Sequence, residues 1–326
     1  MSATAAGGEA IAGLNLEPLE PSRRRLARPR GKSLAGLILL GVFVIIAIVG
    51  PYVAPYDPSA TSGAILQPPS AAHLLGTTQT GQDVLSQLLV GCRVTLLIGV
   101  VAGLVATSLA VLIGVTAGYL GGIADEGLSA MSNIFLVLPA LPLVIVLAGY
   151  LRGAGPLSVA VVISVTGWAF GARVLRAQTL SIRERDFIKA ARLKGESVLR
   201  IVVLEILPNE LGIVISALLL TTVFAILTAA SLAFLGLGSL SSWSWGTMLY
   251  WAQNAEAFTI GAWWWYVPPG ICIALVGTAL GLLNLAIDER LNPRLRYAQP
   301  VRRRAATAQG GPTAADVPAL TSGAEA

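Results

Sequence analysis

Long apolar runs separated by short polar stretches set the pattern of this chain. Six such runs stand out: Leu34–Gly50, Val94–Leu120, Met131–Leu151, Leu157–Leu175, Leu211–Leu235 and Val267–Ile287. Each approaches the ~20 residues that a helix needs to cross a bilayer. None alternates apolar and polar positions as barrel strands do. Ionisable residues such as Asp125, Glu126, Glu210, Asp288 and Glu289 fall at run ends or in loops. The pattern predicts an all-α integral membrane protein with six transmembrane helices. The first run ends in "VGPYVAPYDP" rather than in a small-residue cleavage site, so it reads as an uncleaved span.

The organisation follows from these runs. Residues 1–33 and 291–326 lack apolar periodicity and read as polar tails, disordered in large part. The first span covers 34–50. A proline- and glycine-containing outer loop covers 51–91, with "PYVAPYDP" and "QPPS" as breakers. Residues 92–290 hold five further spans and a polar interruption at 183–209. Pro139 and Pro142 are expected to kink the third span. Gly99, Gly103, Gly114, Gly118 and Gly122, several of them four apart, predict close helix packing on the second span, within the chain or against another subunit.

Composition agrees: 55% of the 326 residues are hydrophobic and 12% charged, against about 25% charged in a soluble domain. The net charge of +5 does not point to nucleic acid, because the basic residues cluster beside apolar runs. All of the 22 Lys and Arg residues except Arg93 and Arg152 precede the first span, surround residues 183–209 or follow the last span. Under the positive-inside tendency, six helices then place both termini and the interruption in the cytoplasm. Cys92 and Cys272 read as packing residues and not as a disulfide or metal pair. His73 is the only histidine. It is expected to be exposed in the outer loop, and no histidine metal site follows.

The loop between spans five and six carries Trp243, Trp245, Trp251, Trp263, Trp264 and Trp265. Two readings stand: an aromatic belt at the membrane interface, or rings lining a solute entrance. Asn133, Thr221, Thr222, Thr228, Ser231 and Asn284 are polar positions inside spans. They are candidate pathway contacts or ordinary interhelical hydrogen-bonding groups.

The polar interruption, "DFIKAARLKGESVLRIVVLEILPN", is the chain's most distinctive stretch. Arg185, Lys189 and Arg192 share one helical face, and Phe187, Ala190 and Ala191 another. Gly195 permits a turn, a second helix begins near Ser197 with Val198, Ile201 and Val202 on one side, and Pro208 is expected to end it. A helix–turn–helix on the membrane face results. It is held either by lipid headgroups or by a partner protein, and the small alanine face suits a partner's groove better than lipid.

This stretch resembles the "EAA" loop of permease subunits in bacterial ATP-driven (ABC) importers. Ala190, Ala191, Gly195, Ile206, Leu207 and Pro208 match with the family's spacing, whereas Lys189 stands where the family has Glu. "LLGTTQTGQDVLSQLLVGCRVTLLIG" is similar to a stretch of dipeptide and oligopeptide permeases: Gly76, Thr77, Gly81, Asp83, Val84, Leu85, Ser86, Gly91 and Arg93 match, while Thr78, Gln82 and Gln87 depart. "ASLAFLGLG", "WGTML" and "LNPRL" add to the likeness. The resemblance is greatest to the second permease subunit, with its long loop after the first span.

The resemblance implies a mechanism and partners: a second homologous permease, two ABC ATPase subunits, an extracytoplasmic solute-binding protein and the bilayer. The amphipathic helix from Arg185 to Lys194 would be the mechanical link to ATP hydrolysis. The implied solutes are di- or oligopeptides, with oligosaccharides and nickel complexes as alternatives. No cofactor, metal or catalytic set is expected in the chain. "LARPRGKS" has Leu26 where a phosphate-binding loop needs its first glycine, and no strand precedes it. Asp83 is expected to hold the junction between outer loop and second span, pairing with Arg93. Rival readings are an ion-coupled carrier, which would place ionisable groups inside spans, and a membrane scaffold.

Overall fold

The computed structural model describes residues 31–150, 155–238 and 240–291. The two tails, Arg152 and "LNPRL" beyond Leu291 lie outside the described residues, as do the basic clusters in the tails.

The first helix, α1 (Gly31–Val53), leads to an ordered loop of 30 residues. The loop ends at α2 (Val84–Leu120). Helix α2 starts ten residues before the expected Val94. At 1.5 Å per residue its 37 residues run about 56 Å, so both ends project beyond a hydrocarbon layer of about 30 Å. Asp83 explains the early start: its backbone is extended, and its carboxylate accepts from Ser86 N. That is a helix N-cap.

The third run is broken more sharply than a kink. Helix α3 (Gly122–Val137) and helix α4 (Ala140–Tyr150) meet at 90°. Leu138 is extended, at ψ 132, as a residue before proline prefers to be. Pro139 and Pro142 then fall where the opening of α4 needs no backbone donor. Helix α5 (Pro156–Ile182) passes the expected end at Leu175 and carries Arg173 and Arg176 on its last turns. Among the described residues, five helical stretches are long and apolar enough to cross a membrane, and six if α3 and α4 form one bent span. The count of six therefore holds with the bent pair taken as one span.

After α5 come α6 (Asp186–Leu193) and α7 (Val198–Ile201). A π turn (Val202–Ile206) joins α7 to α8 (Leu207–Phe234). Here the structure corrects the expectation for Pro208, which does not end the second helix. The π turn and Pro208, in the first turn of α8, lie within one helical stretch from Val198 to Phe234. Helix α9 (Trp245–Asn254) opens on a capping box made by Ser244 and Thr247. Helix α10 (Trp263–Leu291) closes the described chain.

Helix α2 is the central strut, packed mainly on α5 and α8, while α1 lies on α2 and α10. Glycines decide that packing. A Cβ at Gly99 would meet Ile226, at Gly103 Thr222, at Gly114 the carbonyl of Ala172, and at Gly118 Thr179. Of the two open readings, close packing within the chain is realised at these four positions. A Cβ at Gly122 would meet nothing within 4 Å. One core cluster joins Phe43, Cys92, Leu96, Trp245, Met248 and Trp265 beside the loop. A second, at the basic edge, joins Tyr119, Leu175, Ile182, Ile188, Ala191, Ile201 and Ile206.

Candidate functional site

The helical loop at 183–209 is built to keep its shape. At the end of α6, Gly195 takes φ +76, the left-handed region that glycine tolerates best. Gly195 N donates to Arg192 O at 3.0 Å and Glu196 N to Ala191 O at 3.2 Å, the paired bonds of a Schellman cap. Ser197 then caps α7 by accepting from Arg200 N. The turn is thus specified by three consecutive residues, Gly195, Glu196 and Ser197.

The inward face of α6 is Ile188 and Ala191, both buried in a cluster that also holds Tyr119, Leu175, Ile182, Ile201 and Ile206. This corrects the expected face of Phe187, Ala190 and Ala191. Ala191 packs inside its own chain and is not free for a partner. Phe187 and Ala190 point outward with Arg185 and Lys189. Leu193 (89% exposed) and Leu199 (73% exposed) extend this outward crest on either side of Gly195. The sequence pattern does not single out Ile188, because Phe187 beside it opens the expected apolar face. Its i, i+3 spacing to Ala191 was the available signal.

The basic residues here do specific work on the helix ends. Arg183 Nη1 donates to Gly118 O at 3.0 Å, which places a cation at the carbonyl end of α2. Arg176 grips Asp125 with two bonds, Nε to Oδ1 and Nη2 to Oδ2, the latter at 2.7 Å. Ser129 also donates to Asp125. The Arg192 guanidinium lies 4.9 Å from the Tyr119 ring centre, a cation–π geometry. Lys189 reaches only Glu184, at 4.0 Å, an exposed pair of little energetic weight. Glu210, in the first turn of α8, is fully buried and accepts from Thr179 Oγ1 at 2.7 Å. Sequence analysis had placed Glu210 at a run end, and its burial was not legible there.

At the opposite end the ordered loop of residues 54–83 forms a lid on the helices. Thr77 accepts from Gln67 N through its hydroxyl at 2.9 Å, and its backbone N donates to Gln67 O. Gly76 (φ +70) and Gly81 (φ +77) leave no room for a side chain: a Cβ would strike Gln67 O and Trp264, or Ser62 O. Asp83 organises the junction. One oxygen lies 2.9 Å from His73 Nδ1, and the other accepts from Ser86 N and Ser86 Oγ at 2.8 and 2.7 Å. Its expected partner, Arg93, is exposed and not engaged with it. His73 is correspondingly not the exposed side chain expected. It is buried and lies against Tyr56, with ring centres 4.9 Å apart and planes tilted by 37°. Asp83 and Ser86 at capping spacing were legible; His73, ten residues away, was not.

The tryptophans divide by role. Trp245 and Trp265 belong to the core. Trp245 Nε1 donates to Leu88 O, Trp264 Nε1 to Thr77 O and Trp243 Nε1 to Ser59 Oγ. Trp264 and Trp243 fasten the loop of residues 54–83 to the helical body. Of the polar span positions, Thr222 is buried against Gly103 and donates to Leu218 O. Ser231 donates to Leu227 O. Asn133 is exposed, and Thr221, Thr228 and Asn284 are half-buried. Asn284 Oδ1 is buried without a partner in the described residues. The structure brings none of them into a common site. Among the described residues, no three His, Cys, Asp or Glu side chains cluster to hold a metal ion.

The described residues thus form an all-helical multi-pass fold with a two-helix loop on one edge and an ordered loop at the opposite end. Residues 110–297 match the family of binding-protein-dependent transport system inner membrane components. Residues 23–69 match the N-terminal transmembrane domain of oligopeptide transport permease C. The dipeptide transport system permease protein DppC of Bacillus subtilis is 35% identical over 279 residues, 84% of this chain and 85% of that protein. The di/tripeptide transport system permease protein DppC of Pseudomonas aeruginosa is 34% identical over 86% of this chain and 94% of its own length. The oligopeptide transport system permease protein OppC of Bacillus subtilis is 32% identical over 81% and 86%. The solved structure of the MetNI methionine ABC transporter in inward-facing conformations shares 21% identity at a TM-score of 0.47, covering 62% of this chain and 96% of that one. The chain belongs to the binding-protein-dependent inner membrane permease family.

Proposed function

We propose that this permease forms half of a solute pathway and is driven by ATPase subunits that dock on its 183–209 loop. The observation that carries the proposal is the outward crest of that loop. Phe187, Ala190, Leu193 and Leu199 stand exposed among Arg185, Lys189, Arg192 and Lys194. An apolar ridge set in charge suits a protein groove rimmed by acidic residues. The buried face, Ile188 and Ala191, shares a core cluster with residues of α2 and α5, and Arg192 lies over Tyr119 of α2. Force applied to the crest therefore has a packed route into the spanning helices.

In this reading the loop and both termini face the cytoplasm, because the basic residues gather there. The lid of residues 54–83 faces outward and receives solute from a separate binding protein. A second homologous permease completes the pathway, and two ATPase subunits supply hydrolysis. The Lys189 substitution for the family's Glu leaves docking to shape and to the neighbouring cations. Di- and oligopeptides are the proposed solutes, following the names of the relatives. Oligosaccharides and nickel complexes, which the resemblance also implies, are the alternatives for the same pathway.

The test is uptake by proteoliposomes that hold the complete complex and its binding protein. Labelled dipeptides, maltooligosaccharides and a nickel complex are offered in parallel. Dipeptide uptake that needs internal ATP and survives ionophores is expected. Uptake that ionophores abolish while ATP is present would establish an ion-coupled carrier instead.

A further inference from the structure

We infer that Glu210 and Thr179 form the joint through which movement of the 183–209 loop is passed to α5 and α8 together. The inference deepens the transporter reading above and rests on it.

The loop rejoins the membrane helices through a compliant segment. Residues Val202–Ile206 form a π turn, closed by Leu207 N donating to Val202 O. Such turns carry an inserted residue and poorer hydrogen-bond geometry than an α-helix. Pro208 follows and has no N–H to give. Asn209 adds a side-chain bond to its own i−4 carbonyl, Nδ2 donating to Glu205 O at 2.6 Å. A push on α6 and α7 would be absorbed here unless a firm tie followed at once.

Glu210 is placed to be that tie. It lies two residues beyond Pro208, is 0% exposed, and accepts from Thr179 Oγ1 at 2.7 Å. Thr179 is also 0% exposed and sits one turn before the end of α5. Its Cβ rests against Gly118, where a methyl would come within 2.7 Å. Three helices thus meet at Gly118, Thr179 and Glu210. The carboxyl's second oxygen, Oε2, is buried with no partner in the described residues. An apolar residue would fill this place at lower cost. A buried carboxyl with one named partner, at the point where the loop enters α8, asks for a reason other than stability. Glu210 and Thr179 are positioning residues: they touch no solute and act by keeping two helices in register.

The test uses the full complex with its partner subunits in nanodiscs. Spin labels at Phe170→Cys on α5 and Phe224→Cys on α8, both side chains largely exposed, report the separation of the two helices. Cys272→Ala removes the half-buried thiol, and Cys92 is fully buried. In the native background the separation should be the same without nucleotide and after trapping with ATP and vanadate. In Thr179→Val, of nearly equal volume, α8 should lag, and trapping should shift the separation by about 2 Å or more. Glu210→Leu should do the same, and Thr179→Ser, which keeps the hydroxyl, should behave as the native protein. A purely structural role would lower the melting temperature of Thr179→Val but leave its response to nucleotide native. That result overturns the inference, as does a native α5–α8 separation that itself changes on trapping. Cross-linking of Ala190→Cys to the ATPase subunit separates the two claims. If the cross-link forms and Thr179→Val responds as native, only the joint is lost. If it never forms, the transporter reading fails and takes the joint with it.

Discussion

Asp83 offers the sharpest quantitative test of the lid. Asp83→Ala removes the N-cap of α2, a loss of about 1 kcal/mol. It also leaves Ser86 Oγ and His73 Nδ1, bonded at 2.7 and 2.9 Å, without their buried acceptor. Each orphaned group costs about 1 kcal/mol or more. Together these effects reach about 3 kcal/mol, which raises the open population of the lid roughly a hundredfold. Asp83→Asn keeps a competent cap and one acceptor, and should cost no more than about half as much. The assay is limited proteolysis of residues 54–82 in purified protein, with cleavage rates compared under conditions where reclosing is fast. The expected order is native, then Asp83→Asn, then Asp83→Ala. Equal rates for native and Asp83→Ala would refute the account, because a lid indifferent to Asp83 cannot be held by it.

Three further outcomes follow from named contacts. Ala191→Trp forces a large ring into the cluster with Ile188 and Ile201 and should destabilise the chain by about 1–3 kcal/mol or more. Ala190→Trp, on the outward face, should leave melting unchanged and abolish co-purification of the ATPase subunit. Gly114→Val would drive a side chain into the carbonyl of Ala172 and should sharply lower the thermal stability of the detergent-solubilised protein. Gly41→Ala, where a Cβ meets nothing within 4 Å, is the control and should not. Gly195→Ala at φ +76 should cost about 1–2 kcal/mol at the α6–α7 turn, measured as faster hydrogen exchange at Glu196 N than in the native loop.

The spans and the loop were legible because their signals are local. A bilayer rewards uninterrupted apolar runs, and Gly195 and Pro208 punctuate the loop whatever surrounds them. The same local rules misjudged Pro208. It reads as a stop, yet α7 and the π turn supply a helix for it to join, and Asn209 takes the carbonyl of Glu205. They also misjudged His73, because its burial depends on Tyr56 and Asp83 arriving from elsewhere along the chain. Glu210 is the extreme instance: a charge at a run end looks solvated until α5 closes over it with Thr179.

By itself the sequence determined that the chain is a bundle of membrane helices, which edge is basic, and where a short amphipathic loop interrupts it. Those properties depend on hydropathy, charge and backbone preferences that each residue carries with it. Tertiary structure alone decided which face of α6 is buried, which tryptophans hold the lid, and that α3 and α4 meet at a right angle. These depend on which surfaces meet, and helices in lipid choose partners by close fit and scarce hydrogen bonds, not by apolarity that all of them share.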